Sequence, residues 1–162
     1  MTIDATSYRR IIGQFATGVT VITTAVDGRF HGITANALSS VSLDPLLLLV
    51  CVDKEAHGHE ELTDAGRFGV NILSDEQEDL SNLFATKAPP EQGQLRGGVP
   101  YHLGPHGTPL LEGCLAYVEC DIVDSHEGGD HTIFIGQVLA AETLREAPPL
   151  LFFRGRYGRL QP

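Results

Sequence analysis

Apolar positions along the chain fall into short runs, each closed by turn residues, and this punctuation predicts mostly strands. Residues 20–26 are rich in β-branched side chains and read as a strand. Asp27-Gly28 is a two-residue hairpin signal, with a returning strand over 29–36. Residues 46–53 are almost continuously apolar, the pattern of a strand buried on both faces. Further strands are expected over 68–73, 114–125, 132–142 and 150–153, and Glu127-Gly128-Gly129-Asp130 supplies the turn between the two long ones. Short helices interrupt this pattern. Ser7 is expected to cap a helix over 8–15, Gly66 to close one over 59–65, and Ser74-Asp75-Glu76-Gln77 matches a capping box opening a third to about residue 86.

Six or more strands linked mostly by hairpins predict a single domain over 1–162, mainly β with short helices, folded as an antiparallel barrel with helical appendages. Strands and helices do not alternate regularly, which disfavours a doubly wound sheet. Residues 87–109 are dense in Pro and Gly. A loop of that length inside a compact domain is functional or covers something.

One segment stands apart. Gly32-Ile33-Thr34-Ala35-Asn36-Ala37-Leu38-Ser39-Ser40-Val41-Ser42-Leu43-Asp44-Pro45 is built from small and hydroxyl-bearing residues between two apolar runs. Small side chains let a ligand approach the backbone, whose N–H groups join the hydroxyls of Thr34, Ser39, Ser40 and Ser42 as donors. That suits a flat, polar-edged, phosphorylated cofactor. The same composition also fits an ordinary loop between strands, and residues alone leave both readings open.

The net charge of −10 argues against nucleic acid as a partner, and means that an anionic cofactor needs cations concentrated locally. Lysine occurs only at Lys54 and Lys87, while Arg154, Arg156 and Arg159 cluster near the end. Arg154 and Arg156 would share one face of an extended chain; phosphate recognition and a solvated tail are both open for them. No apolar run reaches the about 18 residues of a membrane span, and residues 1–4 do not open a secretory signal. Cys51, Cys114 and Cys120 are odd in number and lack metal-ligand spacing, so buried thiols in a reducing, cytoplasmic setting are expected.

The familiar nucleotide signatures are missing: there is no Gly-x-Gly-x-x-Gly after a strand and no phosphate loop ending in Gly-Lys-Ser/Thr. A serine-hydrolase elbow is also absent. Of seven histidines, the pairs His57/His59, His102/His106 and His126/His131 lie on different elements without a metal-binding motif, so no metal site is expected. His131 follows Gly128-Gly129-Asp130 and begins a strand. It reads either as a group at the barrel rim or as a half-exposed turn residue.

Taken in order, several segments carry a resemblance over nearly the whole chain. They are Phe15-Ala16-Thr17-Gly18-Val19-Thr20-Val21-Ile22-Thr23-Thr24, the block from Gly32 through Pro45, Phe68-Gly69-Val70-Asn71-Ile72-Leu73, Gly129-Asp130-His131-Thr132-Ile133-Phe134-Ile135-Gly136 and Arg154-Gly155-Arg156-Tyr157. Together they resemble the flavin reductase family of the flavin-binding split barrel. The resemblance implies an antiparallel split β-barrel and a homodimeric NAD(P)H:flavin oxidoreductase. Such an enzyme would reduce FMN or FAD and release it to a partner flavin-dependent monooxygenase.

By the same resemblance Thr34, Ala35, Asn36 and Ala37 would lie along the isoalloxazine ring. Ser40, Val41, Ser42 and Lys54 would lie toward the ribityl chain and phosphate, and His57, His59 and Glu60 would continue that wall. Phe84 and Lys87 would border the flavin. His131, Arg156, Tyr157 and Arg159 would meet the nicotinamide nucleotide. Two departures stand out. Relatives often carry Ser, Thr or Arg where this chain has Ala56-His57-Gly58-His59, and Asp-Pro-Pro is here Asp44-Pro45-Leu46. An acidic surface poor in lysine favours NADH over NADPH. A flavin-storing protein is the alternative, although it would need no nicotinamide site.

Overall fold

The computed structural model of the chain describes residues 2–161. Helix α1 (Ala5–Ile12) is capped by Asp4, whose carboxylate accepts from the Ser7 amide at 2.7 Å. An aspartate caps free amides and complements the helix's positive end. The helix therefore starts and stops earlier than a Ser7 cap predicts. Strands β1 (Thr17–Gly18), β2 (Thr20–Val26) and β3 (Arg29–Ala35) follow, and Asp27 and Gly28 take the positive φ values, 49° and 76°, of a tight hairpin.

The small polar segment is not merely a loop. After Ala35 it turns and runs as β4 (Leu38–Leu43), paired with β5 (Leu46–Asp53). β5 departs from expectation. Leu48, Val50 and Val52 are buried, but Leu47, Leu49 and Cys51 on the other face are only half-buried. The strand buried on both faces is β2: Val21 joins one core cluster and Ile22 the other.

Helix α2 (His57–Ala65) ends at Gly66, whose φ of 65° supplies the left-handed stop. Strand β6 (Arg67–Ile72) leads to α3 (Glu78–Ala85). Only half of the expected capping box forms. The Gln77 side-chain oxygen accepts from the Ser74 amide at 2.9 Å, while the buried Ser74 hydroxyl lacks a partner. Ser74 bridges Pro149 and the Asp75 amide donates to Pro148, which holds this stretch off the helix.

Residues 87–109 include β7 (Glu91–Gln92), a single 3-10 turn at Arg96–Gly98 and β8 (Tyr101–Leu103). The segment acts as a cover: Leu95 is fully buried in the second core cluster, with Val99 and Tyr101 packed beside it. β9 (Pro109–Leu111), β10 (Ala116–Gly128), β11 (His131–Thr143), β12 (Leu150–Phe153) and β13 (Arg156–Arg159) complete the chain. Arg154 and Gly155, with φ of 53° and 75°, form the β12–β13 turn. Arg154 and Arg156 therefore do not share one extended face.

The main sheet is antiparallel throughout, in the order β4-β5-β11-β10-β6-β2-β3-β7, with a separate β1-β12-β13 sheet. It curls around Ile22, Val50, Leu62, Phe68, Val70 and Phe134. Gly136 permits a close approach inside this core, since a Cβ there would lie 2.7 Å from the Phe68 ring. The outer strands β4 and β7 are not paired with each other, so the barrel is split. A second core cluster, with Val21, Leu73, Phe84, Leu95, Leu111 and Leu150, joins β2 to α3 and to the C-terminal hairpin.

Candidate functional site

Two cavities flank the β3–β4 connection. The larger, about 630 Å³, has Ile12, Phe15, Asn36, Ala37, Leu49 and Phe152 among its walls. The smaller, about 240 Å³, lies between β3, the start of α2 and the end of α3, with Gly32, Thr34, Asp53, His57, Phe84 and Lys87 around it. The first has the size and largely apolar walls of a small-molecule pocket. Thr34 lines the smaller and Asn36 and Ala37 line the larger, so the chain passes from one lining to the other at Ala35.

The wall shared by β3 and α3 is closely tied. The Thr34 hydroxyl donates to the Ser81 carbonyl at 2.6 Å, so it is held by the helix backbone. Phe84 is 2% exposed and its ring lies against Gly32. His31 Nε2 lies 3.1 Å from the Ala88 carbonyl. On β4, Ser40 and Val41 are exposed and Ser42 is half-buried, its hydroxyl accepting from the Asp44 amide at 3.2 Å. A register shift between Ser40 and Ser42 re-aims this edge strand.

His131 stands opposite Asp53 in the β11–β5 register, which places His131, Asp53 and Lys54 at one end of the sheet. His131 Nδ1 donates to Asp130 Oδ1 at 2.7 Å. That bond holds the Asp130 carboxyl below its usual range and, in the neutral ring, leaves Nε2 as an acceptor. Lys54 pairs with Glu127 and lowers that carboxyl's pKa. The pair is exposed and contributes little, so an incoming anion can compete for Lys54.

Other candidates lie elsewhere. His59 diverges from His57: its Nε2 meets the Thr132 hydroxyl at 2.8 Å and its ring stacks near Phe134, bracing α2 on β11. Glu60 is exposed in the first turn of α2. The Tyr157 hydroxyl bonds Ser81 at 2.6 Å and its ring packs on Phe152, while Arg159 donates to the Asp75 carbonyl at 3.3 Å. Tyr157 and Arg159 thus brace the C-terminal hairpin, and Arg156 is exposed. The thiols are inert at neutral pH where buried: burial pushes Cys114 to about 11 and Cys120 to about 12. Cys51, expected buried, is half-exposed on the larger cavity's wall.

His31 and Asp53 around the smaller cavity, and Arg9, Leu49 and Phe152 around the larger, were not among the candidates read from the sequence. His31 alone carried a signal, its position immediately before Gly32. The others are brought in by register and by the return of the C-terminal hairpin.

A family profile described as "Flavin reductase like domain" matches residues 12–161. The chain belongs to the flavin reductase family. A relative named flavin-dependent monooxygenase reductase subunit HsaB, from Mycobacterium tuberculosis, is 38% identical over 99% of this chain and 84% of its own. A Streptomyces globisporus protein named NADH-dependent FAD reductase is 41% identical over 98% of this chain and 87% of its own. Among solved structures, the NADH:FAD oxidoreductase SgcE6 of Streptomyces globisporus, described in complex with NAD and FAD fragments, superposes with a TM-score of 0.90. It is 41% identical over 98% of this chain and 94% of that one. The residues of this flavin reductase fit such cofactors. Gly32, on the smaller cavity, has no space for a Cβ, and Ala37 leaves the backbone open on the cavity of about 630 Å³.

Proposed function

We propose that this flavin reductase transfers hydride from NADH to FAD or FMN and releases the reduced flavin to a separate flavin-dependent monooxygenase. The observation that carries the reading is the β3–β4 connection, a strip of small residues between a large apolar cavity and a smaller, more polar one. The cofactors supply the redox chemistry. Main-chain N–H groups along 35–37 orient the flavin's polar edge and stabilise charge that builds there. The apolar walls from Ile12, Phe15, Leu49 and Phe152 exclude water and favour stacked rings at reacting distance.

The phosphate side has an alternative to the missing hydroxyls. Helix α2 has Ala56 as its N-cap and no side-chain cap bond; the His59 amide donates to the Ala56 carbonyl at 3.0 Å, which leaves the His57 and Gly58 amides for a ligand. Ala56, His57 and Gly58 face the smaller cavity along with Lys87. Free amides at a helix start favour an anion, and Lys54 and Lys87 add charge nearby. His131, with Nδ1 fixed by Asp130, offers Nε2 to the nicotinamide carboxamide; Arg156 gives the nucleotide a mobile cation. No general acid or base is required, so His131 acts as an orienting group.

The working form in this proposal is a homodimer. Phe15 is 74% and Leu43 84% exposed, and Ile11, Ile12, Val41 and Leu46 add to the apolar surface on α1 and the β4–β5 ribbon. A patch of that kind marks an interaction surface. A second copy there would also wall the larger cavity. The proposed reaction is tested by following NADH and NADPH oxidation with FMN, with FAD and without flavin. Flavin-dependent NADH oxidation is expected. Flavin binding without turnover by either nucleotide would instead identify a flavin store.

A further inference from the structure

Strand β3 and the chain leaving α3 are joined at three successive points. Thr34 bonds the Ser81 carbonyl at 2.6 Å, Gly32 touches Phe84, and His31 Nε2 meets the Ala88 carbonyl at 3.1 Å. The first two lie on the helix itself. The third lies beyond its end, where His31 and residues 86–88 together line the smaller cavity. We propose that His31 is a positioning residue for flavin binding: its bond to Ala88 sets the width of the smaller cavity and places Lys87 at the phosphate side.

Beyond Thr86, whose hydroxyl donates to the Leu83 carbonyl at 2.9 Å, this segment has few other side-chain ties. Arg96 Nη1 donates to the Leu83 carbonyl at 3.1 Å and to the Thr86 carbonyl at 3.0 Å, which fixes the end of α3. Past Thr86, the Lys87 side chain is exposed, and the His31–Ala88 bond is the side-chain tie that follows. His31 is suited to the task because it is 9% exposed, so its ring cannot swing to solvent. Burial also pushes its pKa below the usual histidine value. The ring is therefore neutral at neutral pH, and its single N–H serves the Ala88 carbonyl at Nε2.

This inference rests on the smaller cavity being the phosphate side of the flavin site. The experiment compares His31→Gln, whose amide nitrogen reaches about as far as Nε2, with His31→Leu and His31→Asn, which lack a donor at that reach. Flavin affinity is read by fluorescence titration, steady-state constants for flavin and NADH are read beside it, and thermal unfolding checks the fold. Loss of the bond is expected to weaken flavin binding about five- to tenfold in the Leu and Asn variants. The flavin KM should rise in step, with kcat and the NADH KM within about twofold, and His31→Gln should stay near the parent. If His31→Leu does not fold, His31→Asn carries the comparison.

Folded Leu or Asn variants with parental flavin affinity would overturn the proposal. So would a Gln variant as weak as the Leu variant, or an effect confined to the NADH KM. The titration reads His31 even if the parent protein binds flavin without oxidising NADH. Failure of the proposed reaction is thereby separate from failure of this inference.

Discussion

The Cβ that Gly32 lacks would lie 2.7 Å from both Cδ1 and Cε1 of Phe84. Phe84 is held in turn by the second core cluster, so the ring cannot yield cheaply. Gly32→Ala should therefore cost about 1–3 kcal/mol of stability through overpacking. It should also weaken flavin binding, because the displaced ring borders the smaller cavity. Denaturant unfolding and a flavin titration read the two effects. An alanine variant as stable as the parent, with parental affinity, would show that the ring moves aside.

Asp130 holds Nδ1 of His131, which the proposed reaction uses to orient the nicotinamide. His131→Ala should raise the NADH KM several-fold, on the order of one lost hydrogen bond, with flavin affinity unchanged. Steady-state kinetics in which the flavin constant moves instead would remove His131 from this role.

Glu61 faces inward from α2, is 6% exposed, and its Oε2 lacks a partner. Burial raises its pKa above the ordinary 4.5, with Arg29 opposing. A raised folded-state value means that the folded protein holds the proton more tightly than the unfolded chain. The carboxyl's contribution to stability is then fully present below 4.5 and lost as pH rises through the folded value. Glu61→Gln removes that loss, so the variant should melt above the parent at neutral pH, with the difference shrinking below 4.5. A parent that melts higher at neutral pH would indicate a stabilising charge at Glu61.

The apolar surface on α1 and the β4–β5 ribbon is expected to close a dimer. Leu43, 84% exposed, is its most open large residue, and Leu43→Asp should give a monomer that binds flavin more weakly. Light scattering of the parent at monomer mass would contradict the dimer.

Much of the fold was legible because strand ends coincide with local chemistry. Asp27-Gly28 fixed the β2–β3 hairpin, and the Leu150–Phe153 strand was visible from its apolar run. Which strand is buried on both faces was not legible. The run at 46–53 is more apolar than β2, but half of its leucines point to the α1 side, where one chain leaves them partly open. The site was legible as a segment, while its opposite walls were not. Asp53 and Phe152 enter through register and hairpin return, and His59 looked like a partner of His57 until helix geometry turned it toward Thr132. Tyr157 read as a nucleotide contact, and its hydroxyl is taken by Ser81, a partner 76 residues away in sequence.

In the proposed reaction this chain moves hydride from NADH to a flavin held at the β3–β4 connection. Anaerobic addition of NADH to the protein with one equivalent of FAD or FMN tests it most directly. Bleaching of the flavin absorbance is expected, with one NADH consumed per flavin. A flavin that binds, as shown by its fluorescence, yet stays oxidised with excess NADH and NADPH would contradict it.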